Sequence, residues 1–123
     1  MSRRGFAVLA LALATACDDD LYSPPVCTTE AVAGITVDLL DQSGTPLSAE
    51  DAEGRAADPE QPHLYVLESF GERLVGVWEA PGTYLVTVEK PGYVTWVRDG
   101  VRVEEGTCHV VPVRLEATLV PPP

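Results

Sequence analysis

From Glu30 onward, short apolar runs are cut every eight to twelve residues by glycine- and proline-bearing turn chemistry, and no ten-residue stretch carries a helical stripe. That punctuation excludes long helices and predicts an all-β chain. Ile35, Val37 and Leu39 alternate with Thr36, Asp38 and Leu40, predicting a first strand over 31–41. Asp41-Gln42-Ser43-Gly44-Thr45-Pro46 supplies the following turn. Residues 47–62 are acidic, alanine-rich and interrupted by Gly54, Pro59 and Pro62, so they read mostly as a mobile loop, with room for a short strand only at the start. Strands are expected over 64–69 and 74–78 around Phe70-Gly71-Glu72, over 83–89 after Pro81-Gly82, and over 93–98 after Lys90-Pro91-Gly92. Asp99-Gly100 reads as a two-residue hairpin turn into 101–103. The last strand is expected over 110–119, with Pro112 at an edge or a bulge. About seven short antiparallel strands imply a single β-sandwich of immunoglobulin-like size over 30–120, followed by a proline tail at 121–123.

The start of the chain reads as an address. Arg3 and Arg4 precede Phe6–Ala14, nine apolar residues, too short for the ~20 that a membrane span needs. Residues 1–16 therefore read as a signal peptide. Ser2-Arg3-Arg4-Gly5-Phe6 also resembles the start of a twin-arginine signal, but Ala7 and Val8 depart from its continuation and ordinary export is preferred. Leu13-Ala14-Thr15-Ala16-Cys17 resembles the lipobox of bacterial lipoproteins, with Ala14 where leucine is commoner. The resemblance implies that Cys17 becomes an acylated N-terminus, so that the membrane is a partner through the lipid and the protein belongs to the cell envelope. Cleavage after Ala16 leaving a plain Cys17 is the competing reading. Residues 17–29 then form an acidic, proline-bearing linker, in which Asp18-Asp19-Asp20 is either a sorting signal or a hydrated tether.

Cys27 and Cys108 remain, and an exported chain with two cysteines has one possible pairing. The alternative is two reduced, buried thiols. Neither cysteine has a CxxC neighbour, so no metal site is expected. Eight Lys and Arg face 19 Asp and Glu, and loss of residues 1–16 removes Arg3 and Arg4, deepening the formal charge from −11 to −13. Such a surface argues against nucleic acid and against electrostatic attachment to anionic lipid.

Val32–Val37 followed by Asp41–Leu47, and later Pro81–Val88 with Lys90-Pro91-Gly92-Tyr93, resemble the carboxypeptidase-regulatory-like domains, which are transthyretin-like (prealbumin-like) β-sandwiches. The resemblance spans about residues 31–117 and implies a non-catalytic accessory or surface domain; it carries over no catalytic residue. The chemistry-bearing residues agree with that. Tyr65, Tyr84, Tyr93, His63 and His109 offer the residue types of an iron site in a related sandwich, but Tyr84 is in phase with Val86 and Val88 as a core residue. The C-terminal Tyr-Arg-Gly-Ser of the transthyretin-like hydrolases is absent, as are GxSxG and HExxH patterns. Glu50, Asp51, Glu53, Asp58 and Glu60 lack the order of a calcium loop and read as a solvated acidic segment. No enzyme activity, metal or cofactor is expected. Trp78 and Trp96 are the candidate binding residues, Trp96 sharing phase with Val94 and Arg98 and so expected on an outer face. The expected partner is an envelope protein or a glycan.

Overall fold

Alternation in the sequence becomes burial in the fold. In β1 (Ala33–Leu40), Ile35, Val37 and Leu39 are fully buried while Thr36 and Asp38 face outward. The computed structural model describes residues 26–123; the expected signal peptide, Cys17 and the linker up to residue 25 lie outside the described residues. Seven further strands follow: β2 (Glu53–Ala57), β3 (Leu64–Phe70), β4 (Arg73–Trp78), β5 (Gly82–Glu89), β6 (Trp96–Glu105), β7 (Val110–Val111) and β8 (Val113–Thr118). No helix occurs among the described residues, which are all-β.

The eight strands form one hydrogen-bonded order, β7-β6-β5-β2-β3-β4-β1-β8. Its two edge strands, β7 and β8, are joined through Pro112, which nearly closes the sheet into a barrel. β3 serves both halves. Its first residues pair with β2 (Gly54 with Leu67, Ala57 with Leu64), and its last pair with β4 (Glu68 with Val75, Phe70 with Arg73). The core between the halves holds the inward phase of each strand, including Leu67, Leu74, Tyr84, Val86, Val88, Val103 and Leu119.

Several expectations are corrected. Residues 47–62 are not mainly a loop: β2 lies in their middle, between β3 and β5. Its inward residues are Gly54 and Ala56, too small to announce a buried strand, because Leu67 and Leu74 fill the space above Gly54. Asp99-Gly100 does not reverse the chain. Tyr84 pairs with Val101 and Val86 with Arg98, so Asp99 and Gly100 together oppose Leu85 in a bulge inside β6. Gly100 supplies the required positive φ, 66°. Residues 93–95 are not strand; Tyr93 N–H donates to Lys90 O (3.1 Å) in a turn, and Val94 N–H donates to Val120 O (2.8 Å). The last strand is split at Pro112, whose missing N–H interrupts the ladder, and the sheet is not wholly antiparallel. β7 runs antiparallel to β6, whereas β8 runs parallel to β1, with Ile35 beside Val113 and Leu40 beside Thr118. The strand count is therefore eight rather than about seven.

Cys27 and Cys108 are joined in a disulfide, with 5.2 Å between their Cα atoms. The bridge ties the segment entering β1 to the turn before β7. It marks one end of the barrel, where β1, β5 and β8 begin and β2, β4 and β6 end.

Candidate functional site

The densest chemistry lies beside that disulfide. Val77 and Glu79 have positive φ, 58° and 50°, an unfavourable conformation for non-glycine residues and especially for a β-branched one. The end of β4 is thus twisted out of regular strand geometry, and hydrogen bonds hold it there. Glu79 N–H donates to Val32 O (3.0 Å), and the Glu79 carboxylate accepts from Val32 N–H (3.0 Å) and Val110 N–H (3.1 Å). The same carboxylate pairs with His109 Nδ1, and His109 Nε2 lies 2.9 Å from Thr28 Oγ1. Glu79 therefore links the approach to β1, the end of β4 and the start of β7.

Desolvation pushes the Glu79 carboxyl upward, but hydrogen bonds from His109, Val110 and Val32 outweigh it and hold the group below its ordinary value. A carboxyl depressed by folding stabilises the folded state above its unfolded pKa and loses that contribution as pH falls through the folded value. Replacing Glu79 with Gln should therefore flatten the acid limb of stability below about pH 4.5, the ordinary glutamate value. Melting temperatures of both proteins over pH 3–7 (roughly the span of carboxylate titration) check this, and parallel curves would refute it. Asp38 is also held low, first by its hydrogen bonds from Arg114 and then by the charges of Arg114 and Arg73. It keeps an acid-sensitive background in both proteins.

Threonine hydroxyl, imidazole and carboxylate stand here in the sequence of a nucleophile, its base and an orienting acid. Catalysis also needs a cleft at the nucleophile and donors facing a developing oxyanion. Surface clefts are lined by Asp51, Lys90 and Tyr93, by Asp41, Tyr93 and Leu119, by Gly82 and Arg102, and by Arg55 and Val66. The Glu79 cluster acts as a clasp that holds the incoming chain against the barrel. The sequence carries only a faint signal for it, a histidine directly after Cys108.

The remaining candidates are dispersed. Trp78, 44% exposed, ends β4 opposite Ala33. Trp96 begins β6 opposite buried Val88, packs against the core, and carries the Arg98 guanidinium 5.1 Å from its ring centroid. Neither tryptophan stacks on another ring among the described residues. His63, Tyr65 and Tyr84 form an edge-to-face series, whereas His109 sits in the clasp and Tyr93 at the opposite end of the barrel. Tyr84 O–H donates to Ala80 O (2.8 Å), and burial, aided by Tyr65 and Asp58, pushes its hydroxyl up to about 12. The acids of 50–60 are split by β2. Asp51 pairs with Lys90 near one end of the strand, while Asp58 follows the other end beside Gly82.

The two outer faces of the sheet differ. On β4-β1-β8 the outward side chains include Thr36, Asp38, Arg73, Arg114 and Glu116, with Asp38 paired to both arginines. On β3-β2-β5-β6 they include Leu64 (49% exposed), Val66 (69%), Leu85 (37%) and Val97 (54%). Registers place these in adjoining rows: Leu64, Ala57 and Leu85 in one, Val66, Arg55, Thr87 and Val97 in the next. The sequence conceals this face because Leu64-Tyr65-Val66-Leu67 is apolar in both phases, the pattern of a strand buried on both sides. Comparison with known protein families and with curated proteins finds no match to this chain.

Proposed function

We propose that this chain is an exported, lipid-anchored domain of the bacterial cell envelope, without catalysis of its own, that presents a binding surface. The observation that carries the reading is the Cys27–Cys108 disulfide, which suits an oxidising compartment and follows the lipobox-like Cys17 by ten residues. Ten residues reach at most about 35 Å, so a lipid on Cys17 keeps the disulfide end of the barrel near the bilayer. The turns at residues 41–46 and 90–95 then face away from it. In the finer fold reading, the domain is a transthyretin-like sandwich of the carboxypeptidase-regulatory-like kind, supported by the turn motifs and the all-β architecture. Two or more acyl chains make such attachment durable, whereas one alone is marginal.

Growth with a clickable fatty acid tests the anchor. The wild-type protein should incorporate label and the Cys17→Ala variant should lose it; label persisting in the variant would overturn the lipid reading. For the partner, the expected classes are a glycan or a protein meeting the region of Trp96. The exposed aliphatic face on β3-β2-β5-β6 favours protein, since glycan sites rely on aromatic stacking and polar groups.

A further inference from the structure

The geometry points to the outer face of β3-β2-β5-β6 as the docking site for an amphipathic helix of a partner protein, one whose apolar stripe is flanked by lysine or arginine. This builds on the reading of the chain as a binding domain and is independent of the lipid on Cys17. Leu64 and Val66 on β3, Leu85 on β5 and Val97 on β6 are open to solvent, with Ala57 and the ion-paired Arg55 of β2 between them in the same four-stranded face. Four strands span about 15 Å from first to last, wide enough for a single helix of ~10 Å diameter. Helix-on-sheet packing is the ordinary way to cover such a surface.

Charge selects the occupant. Arg55, in the middle of the face, is already neutralised by its pair with Glu89 and by Glu53, 3.9 Å away, and Arg102, opposite Thr83 toward the disulfide end, lies 3.8 Å from Glu104. Glu53 and Glu89 are register partners, and Glu68 shares the outward phase of β3, so one end of the face is rimmed by carboxylates. Asp99, in the bulge opposite Leu85, adds an acid on the β6 side. A second copy stacked with its strands in the same direction would press these acid rims together, and an anionic bilayer would be repelled. A helix with basic flanks lays its apolar stripe over Leu64, Leu85, Val66 and Val97, across Thr87 and the ion-paired Arg55, and meets carboxylates at the Glu53–Glu89 end and at Asp99.

A designed helical peptide of about five turns, leucine on one side and lysine on the other, tests this with the purified full chain. It should bind, and binding should weaken as salt rises from about 50 to 300 mM. Val66→Glu with Val97→Glu should weaken binding about tenfold, while circular dichroism and melting report an intact fold. The sign is diagnostic, because two added acids strengthen any association driven by charge alone. Glu68→Lys should weaken binding by about threefold through the rim. Unchanged or tighter binding by the double variant would overturn the proposal, as would equal binding of a leucine–glutamate peptide. So would self-association, or uptake by phosphatidylglycerol vesicles, that the double variant abolishes. Failure of this experiment leaves the fatty-acid result untouched, and the reverse holds too.

Discussion

Replacing Cys108 with serine should lower the stability of this domain by about 4–5 kcal/mol. The bridge closes a sequence separation of 81 residues, and loop-closure entropy for a loop of that size gives this magnitude. Small domains have about 5–15 kcal/mol in all, so the variant stands close to unfolding at 37 °C. Its melting temperature should fall by about 20–30 °C at this size. The loss reaches the clasp as well, because Thr28 and His109 directly follow the two cysteines and are held together by the bridge. Cys27→Ser should have the same effect, and the double variant should be no worse than either single one, since both remove one crosslink. Urea titrations without reductant read this out. A loss below about 1 kcal/mol would contradict the bridge as the main staple.

The second large effect lies in the core. Leu74 is fully buried on β4, and its Cδ1 would stand 2.9 Å from a Cβ placed on Gly54 of β2, with Leu67 Cδ1 at 3.0 Å. Leu74→Ala removes three buried carbons and opens a cavity, at a cost of about 3–4 kcal/mol. Gly54→Ala alone forces a methyl against both leucines and should cost about 1 kcal/mol after the entropy gained from losing a strand glycine. Combined, the methyl enters the space that Leu74 vacates, and the pair should cost less than the sum by about 1 kcal/mol. Strict additivity would mean that β2 and β4 do not share this packing site.

The same packing explains what the sequence displayed and what it hid. β1, β3, β4 and β5 were legible because large apolar residues alternate with polar ones or flank a turn that permits one geometry. Phe70-Gly71-Glu72 is such a turn, with Gly71 at φ 64° and Phe70 paired to Arg73. β2 was hidden because its buried positions are Gly54 and Ala56, and the volume that fills them comes from Leu67 and Leu74 on other strands. Asp99-Gly100 carries the local chemistry of a hairpin, yet the positive φ serves equally in a bulge; pairing with β5 on both sides decides between them. Pro112 announced an interruption but not that β8 would cross to lie parallel to β1.

At the candidate site, the Cys27–Cys108 pairing was legible from the cysteine count together with the expectation of export. The clasp was not, because Thr28, Glu79 and His109 meet only through the twist at Val77–Glu79 and the bridge beside it. The aliphatic face was invisible for a different reason. Alternation identifies two faces of a strand but does not say which neighbour covers each, and Leu64 with Val66 reads as interior until the outer side is seen to be bare.

Envelope location, anchor and staple meet in one mass measurement on the protein isolated from membranes. The chain should begin at Cys17, heavier by a diacylglyceryl group with or without a further acyl chain, and lighter by two hydrogens for the Cys27–Cys108 bond until reductant is added. A chain beginning at Met1, or an unmodified Cys17, would contradict the anchored reading.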